Sequence, residues 1–359
     1  MKIGFISADW SDIPDPETGN PTLGGAGWYR CGMPAKYLQM NGIETVVVEL
    51  ISTTTSGEIW LHDWNKECHD DCDILVFQRW MADAAPEVIK KARSAGQVIV
   101  SDLDDWYWGL DPRNGAFAAS DPKANPDSNR NHYWQTLAAS DYITCSTPYL
   151  AERLTKIRPE KFVIRNAIDL QRWEFKERVT DEPRVGWVGS TTHRSGDLET
   201  LKGVIGPFVE RNGLKFVHAG HWPGSPTAGE LAGVREQDEE THEIVSILDY
   251  PKLFENMEIG LVPLRQTPFN FAKSAIKGME YAAAGVPFVA EATPEYQWFH
   301  DLGAGRVARK PSHWNAALKA LLDPETRHNE AVANRAIVEQ LDIEKCWTNW
   351  LEFYSNIAK

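Results

Sequence analysis

No window of this chain approaches the run of about 20 apolar residues that a membrane-spanning helix needs, so no membrane span is expected. The N-terminus, Met1-Lys2-Ile3-Gly4-Phe5-Ile6, lacks signal-peptide zoning and enters a strand-like pattern at once. Cysteine is scarce: five in 359 residues, an odd number without framework spacing. That argues against a disulfide scaffold and for free thiols in a reducing, cytoplasmic setting. Cys68 and Cys72, with His62 and His69 nearby, lack a second ligand pair at zinc spacing, so no metal site is expected there. Basic charge is also in deficit, 37 Lys and Arg against 51 Asp and Glu, for a net charge of -14. General nucleic-acid binding is disfavoured, because neutralising phosphates takes clustered cations. Low-complexity tracts are absent, and the two halves share no repeat in residue identity.

Tryptophan, by contrast, is abundant. There are 15, and Trp106, Trp108, Trp134, Trp222 and Trp298 sit in loop-like segments. Such rings suit sugars and bases, although core or domain-interface packing is the ordinary use of most tryptophans.

The length fits two domains. Short β-rich apolar runs alternate with helical stretches from end to end, the pattern of βα units around parallel sheets. Strands are expected at Lys2–Ala8, Thr45–Leu50, Asp73–Gln78, Gln97–Ser101, Tyr142–Cys145 and Lys161–Arg165. A second series is expected at Arg184–Gly189, Leu214–Ala219, Glu243–Ile247, Glu258–Pro263, Val286–Ala290 and Gly305–Ala308. The charged, Pro-containing stretch Glu174–Arg184 reads as a linker. The expected class is therefore α/β: a Rossmann-like domain over 1–175, another over 184–340, and a final helical segment over 341–359. Two such domains would face each other across a cleft at their strand C-terminal edges.

Four segments follow strand ends. Gly24-Gly25-Ala26-Gly27 precedes a helix and permits close backbone approach to a phosphate or sugar. Asp102, Asp104 and Asp105 crowd one strand end with Trp106, Tyr107 and Trp108. Acid/base work, hydroxyl binding, a divalent-metal site on Asp102 and Asp104, or a solvated acidic turn would each use such a set. The loop Gly189-Ser190-Thr191-Thr192-His193-Arg194-Ser195-Gly196 offers backbone N–H groups, hydroxyls, an imidazole and a guanidinium, with helix capping by Ser195 or Asp197 as the plain alternative.

The fourth segment runs from Arg265 through Lys273, Ser274, Lys277 and Glu280 to Gly285. It reads as a loop entering a helix whose first turn carries Lys273, Ser274 and Lys277, with Glu280 about 10 Å from Lys273 along the same face. Ammonium groups at a helix N-terminus suit a diphosphate, and a carboxylate further along suits ribose hydroxyls. Taken alone, the helix would pass for an amphipathic one with a solvated charged face.

Together these segments resemble the GT-B glycosyltransferases, particularly the retaining family-4-like group, over nearly the whole chain. Gly24-Gly25 looks like the family's N-terminal glycine loop. Ser140 to Ser146, Arg165 to Asp169 and Trp173 resemble its run into the interdomain linker, and Val185 to Ser190 the opening of its donor domain. Lys273 to Gly285 resembles its donor-diphosphate and ribose element. The family often has E-x7-E here; Glu280 is read as the second glutamate and Lys273 as standing at the first. The histidine many relatives place near the reaction centre is not evident, and Asp102, Asp104 and Asp105 occupy about that region.

The resemblance implies transfer of a sugar from a nucleotide-diphosphate donor, such as a UDP or GDP sugar, to an acceptor hydroxyl, with retention of configuration. Gly189, Ser190, Arg194, Arg265, Lys273, Ser274, Lys277 and Glu280 would bind the donor. Gly24, Gly25, Trp106 and Trp108 would lie on the acceptor side. Asp102, Asp104, Asp105 and His193 are the catalytic candidates. With cations in place no bound metal or other cofactor is required, while the Asp102 and Asp104 pair leaves a divalent metal as an alternative. A glycan, a protein or a small molecule would be the acceptor, with a hydroxymethylated DNA base as the alternative. The rival readings are an epimerase or phosphorylase on the same plan and a non-catalytic carbohydrate-binding protein. The terminal helix, rich in aromatic residues, would cross back onto the first domain.

Overall fold

The computed structural model describes residues 1–49, 71–178, 180–193 and 196–358, with backbone only at Glu49 and His193. Leu50, His62, Cys68, His69, Arg194 and Ser195 lie outside those residues. Two compact units are present. Residues 1–112, 116–167 and 343–359 form the first, and residues 113–115 and 168–342 the second. Ile168 bridges Asp342, so the two ends of the long stretch 168–342 lie side by side. The stretch 174–184, read above as a linker, is fixed within that unit. Arg178 is buried there, donating to the carbonyls of Phe254, Glu255 and Ala284 at 3.3, 3.2 and 3.1 Å.

In the first unit six parallel strands run β1 (Lys2–Ser7), β2 (Glu44–Glu49), β3 (Ile74–Gln78), β4 (Val98–Leu103), β5 (Tyr142–Cys145) and β6 (Glu160–Val163). Their spatial order is β2-β1-β3-β4-β5-β6. The central strands β3 and β4 are buried along their whole length, as expected of parallel strands covered on both faces. Register sets Ser7, Gln78 and Asp102 side by side, so the residues just past β1 and β3 emerge together. Strand β4 continues to Leu103, which puts Asp102 inside the sheet and not in the loop after it.

The helix Ile343–Ile357 belongs to this unit, although it ends the chain. Ile343, Trp350, Phe353, Tyr354 and Ile357 form its buried stripe. Tyr354 packs on Phe5 in β1 (ring centroids 5.8 Å apart), and Phe353 on Phe162 (4.9 Å) and Tyr142 (6.3 Å).

The second unit holds β7 (Val185–Val188), β8 (Phe216–His221), β9 (Glu239–Glu243), β10 (Ile259–Val262), β11 (Phe288–Glu291) and β12 (Arg306–Ala308). All are parallel, in the order β9-β8-β7-β10-β11-β12. This is the doubly wound nucleotide-binding order, with its reversal between β7 and β10. Alternate residues feed two cores. Val217, Phe288 and Ala290 join Met279, Tyr281 and Phe299 on one face, whereas Phe216 and Val289 join Phe208 and Trp314 on the other. The edge strand differs from expectation: β9 is the charged run 239–243, not 243–247. An edge strand keeps one side in water and tolerates charge, while Val245 beyond it packs against the core. Among the described residues no helix is long and apolar enough to cross a membrane.

Truncating Phe353→Ala is expected to destabilise the first unit by about 3–5 kcal/mol, the usual loss for a buried phenylalanine. Urea unfolding reads this as a lowered midpoint, and a loss under about 1 kcal/mol would contradict the docking of the final helix.

Candidate functional site

In the second unit the loops after β7 and β10 flank the reversal point of the sheet. The segment after β10 folds in two pieces. Thr267 caps a single turn, Pro268–Phe271, its hydroxyl accepting from Asn270 N at 3.3 Å. The chain then breaks at 272–275, and the longer helix begins only at Ile276, ending at Ala283. Lys273 and Ser274 therefore lie in the break ahead of the helix, which corrects the single helix expected from spacing. The E-x7-E spacing counted back from Glu280 lands on Ala272, a fully buried residue, and not on Lys273. Lys273 Nζ instead sits 4.4 Å from the ring centroid of Phe269. Gly285 ends the segment as expected, at φ 75°, where a Cβ would meet Lys176 O at 2.7 Å.

Lys277 and Glu280 do share a helix face, but they face each other and not solvent. Lys277 Nζ lies 2.8 Å from Glu280 Oε2, with side-chain exposures of 15% and 4%. Tyr250 completes the group: its hydroxyl donates to Glu280 Oε2 at 3.2 Å and also meets Lys277 Nζ. The ammonium lies 4.9 Å from the Tyr250 ring centroid and 5.5 Å from that of Phe254. Tyr250 belongs to no spaced motif. Nothing in the sequence ties it to a glutamate 30 positions later.

The β7 loop is held from beneath. Gly189 N donates to Ala219 O at 2.8 Å, and Gly189 O accepts from His218 Nε2 at 3.0 Å. His218 Nδ1 accepts from Ala228 N at 3.1 Å, which fixes the neutral tautomer; burial lowers its pKa to about 4. Ser190 Oγ and Thr192 Oγ1 are 2.8 Å apart, and Thr191–His193 forms one tight turn. Asp197 does not cap a helix with its side chain. Its Oδ1 accepts from Arg265 N at 2.9 Å and Asn270 Nδ2 at 2.7 Å, tying the two loops together. Of the expected donor-side residues, Gly189, Ser190, Arg265, Lys273, Ser274, Lys277 and Glu280 thus lie in the segments that follow β7 and β10, the two central strands of one sheet; Arg194 is outside the described residues.

The first unit divides its carboxylates between two guanidiniums. Asp102 is 2% exposed and paired with Arg30, itself 2% exposed. Arg30 Nη2 and Nε donate to Asp102 Oδ2 and Oδ1 at 2.6 and 3.0 Å, and Thr144 Oγ1 adds 2.7 Å to Oδ2. Burial works against the Arg30 charge, yet Asp102 raises its pKa above the ordinary value. This geometry holds the fold together and leaves Asp102 little reach toward a ligand. Asp104 instead accepts from Arg79 Nη2 at 2.8 Å, and Arg79 Nη1 donates to Asp9 Oδ1 at 3.2 Å. Asp9 and Arg79 escaped the sequence reading, since neither belongs to a spaced motif. Asp105 is half-buried beside them.

Asp9 also explains the glycine loop. Its Oδ2 accepts from Gly27 N at 2.8 Å, and a Cβ on Gly24 would meet its carboxylate at 2.7 Å. Helical structure starts at Gly25, so Gly25 and Gly27 lie in the helix and not before it. Trp106 and Trp108 pack at a tilt of 46° with centroids 4.6 Å apart, and Trp108 extends the cluster to Tyr133 and Trp134 at 5.8 and 5.3 Å. Among the described residues no group of three or more His, Cys, Asp or Glu could hold a metal ion.

No protein-family model matches the chain, and no curated protein matches its sequence. Solved structures do match in fold. Sucrose-phosphate synthase from Thermosynechococcus elongatus gives a TM-score of 0.69 at 14% identity, covering 99% of each chain. Anabaena HepE, solved with UDP and glucose, gives 0.65 at 14% identity, covering 99% of this chain and 100% of that one. The catalytic domain of Starch Synthase IV from Arabidopsis thaliana, bound to ADP and acarbose, gives 0.68 at 12% identity, covering 99% of each. The chain has the two-Rossmann-domain GT-B fold of these structures.

Because Asp102 is bound into the first unit, Asp102→Asn is expected to cost about 3–5 kcal/mol of stability by stranding the buried Arg30 charge. Chemical denaturation checks this; stability close to wild type with a collapse in turnover would instead mark Asp102 as catalytic.

Proposed function

We propose that this protein is a glycosyltransferase that moves a sugar from a nucleotide-diphosphate donor to an acceptor hydroxyl, with retention of anomeric configuration. The observation that carries the reading is the buried Lys277–Glu280 pair under Tyr250, beside the reversal point of a doubly wound sheet. Support comes also from the fold neighbours solved with UDP and glucose, or with ADP and acarbose. Retention rests on the family resemblance alone.

In this reading Glu280 accepts hydrogen bonds from ribose hydroxyls, and Tyr250 and Lys277 hold its carboxylate oriented. Backbone N–H groups at Ser190 and the start of the helix Ile276–Ala283 face the diphosphate, which helix N-termini favour. Lys273 and Arg265 supply positive charge from the preceding segment. The bond between the anomeric carbon and the diphosphate oxygen breaks and a bond to the acceptor oxygen forms. The acceptor proton is released and the nucleoside diphosphate departs. Stabilising that departing charge with fixed cations and dipoles is the main catalytic demand, so no metal is assigned. Asp102 is recast as a positioning residue for the first unit. Asp104 and Asp105 remain candidates on the acceptor side, as does His193 on the donor side.

A panel of UDP, ADP and GDP sugars should stabilise the full-length protein against heat for at least one donor, with slow release of the nucleoside diphosphate. Glu280→Gln should weaken that donor by roughly tenfold or more, as expected for a hydrogen bond to a charged group. Lys273→Ala should slow turnover. If no nucleotide sugar binds, or if both variants match wild type, the reading fails. A product isomerised at the sugar without transfer would select the epimerase alternative.

A further inference from the structure

The loop after β7 carries a backbone donor that the second unit itself does not use. Gly189 N donates to Ala219 O, and Ser190 Oγ meets Thr192 Oγ1, yet Ser190 N has no hydrogen-bond partner among the described residues. Ser190 is half-buried, so its surroundings are not closed. The direction of this N–H follows from the carbonyl in the same peptide plane. In a trans peptide the C=O and the next N–H point to opposite sides. Gly189 O points inward, accepting from Nε2 of the fully buried His218 at 3.0 Å. Ser190 N–H is therefore turned outward. Gly189 reaches this arrangement at φ 141°, and a Cβ there would press on the Trp187 ring at 3.3 Å.

His218 holds that peptide from a fixed frame. Its Nδ1 accepts from Ala228 N at 3.1 Å, which leaves the proton on Nε2 for Gly189 O. Trp187 and His221 pack on the imidazole with ring centroids 5.3 and 5.2 Å away. His221 Nε2 lies 3.0 Å from Ser225 O, and Thr191 Oγ1 donates to Pro226 O at 2.8 Å, so the β7 loop is also pinned to the loop after β8. Phe216, Val217 and Ala219 around His218 in β8 are apolar, as a strand buried on both faces requires. An imidazole among them has to satisfy both nitrogens at the expense of desolvation. Here one of those two bonds sets the orientation of the Gly189–Ser190 peptide.

We propose that His218 is a positioning residue for anion binding: by fixing the Gly189 carbonyl it aims the Ser190 N–H at a phosphate oxygen of the ligand. That the anion is the diphosphate of a sugar donor rests on the transferase reading; the anchoring of the amide does not. A donor held in place needs no reorganisation when negative charge arrives, and so acts more strongly than a mobile one.

The test titrates inorganic pyrophosphate, UDP, ADP and GDP into the full-length protein, with uridine, adenosine and guanosine as uncharged controls. Calorimetry reads affinity, and amide NMR of the isotope-labelled protein follows Ser190. In wild type the Ser190 amide proton should move downfield with phosphorylated probes only. His218→Leu, which loses the donor to Gly189 O, should bind those probes about tenfold more weakly and leave nucleoside binding unchanged. His218→Gln puts an amide N–H where Nε2 stood and should recover most of that loss. Both variants give up the acceptor for Ala228 N, so a purely structural role would weaken them alike. Equal losses in both variants, or losses shared by the nucleosides, overturn the proposal. The wild-type spectrum decides the matter even if His218→Leu folds poorly. If a nucleoside diphosphate binds without moving the Ser190 amide, this inference alone is lost. If pyrophosphate moves it and no nucleotide binds, the transferase reading alone is lost. Wild type that binds no phosphorylated probe loses both.

Discussion

An ion pair taken almost wholly out of water has to be held on several sides, and the Lys277–Glu280 pair meets that constraint at the edge of the second sheet. Removing either partner would leave a buried charge, a loss of about 3–5 kcal/mol. Tyr250 reaches the pair from the loop after β9, the rings of Tyr250 and Phe254 flank the ammonium, and the helix Ile276–Ala283 sets the spacing. Much of the unit follows from keeping those pieces in register. Tyr281, on the same helix, packs into the core and donates to Leu261 O in β10 at 3.2 Å, so the helix is anchored to the strand that precedes it.

The first unit solves the same problem twice. Arg30 and Asp102 lie inside, closed off by Thr144 and the carbonyl of Ile164. Arg79 and Asp104 lie at the rim, with atoms left unsatisfied. Two Asp–Arg pairs whose aspartates are two positions apart, one inside β4 and one just past it, thus sit in different surroundings, one closed among packed elements and one at the rim. The distinction is set by burial and by how many oxygen positions are already occupied, not by residue type.

Much of the fold was legible in the sequence because parallel strands buried on both faces read as short apolar runs. The run Ile74–Gln78, for example, is apolar for four residues and could hardly sit elsewhere. The edge strand at 239–243 was not legible, because a strand with one partner can be made of charged residues. The site was legible where it is local: Lys277 and Glu280 share a helix face by spacing. It was illegible where it depends on contacts distant in sequence. Tyr250 on Glu280, Asp9 on Gly27, and Arg79 between two aspartates are pairings that only the sheet order creates. The break at 272–275 was missed because Ala, Lys and Ser there are compatible with a continuous helix; the cap by Thr267 and the tie from Asn270 to Asp197 end the first turn instead.

The central claim is that Glu280 holds the ribose of a nucleotide-sugar donor. It is tested most directly by titrating UDP-glucose and its 2′,3′-dideoxyribose analogue into wild type and into Glu280→Gln. The account predicts that losing the ribose hydroxyls weakens wild type about tenfold or more but makes little further difference in the variant, a coupling of about 1–3 kcal/mol. Equal losses in both proteins would place the ribose elsewhere and contradict the account.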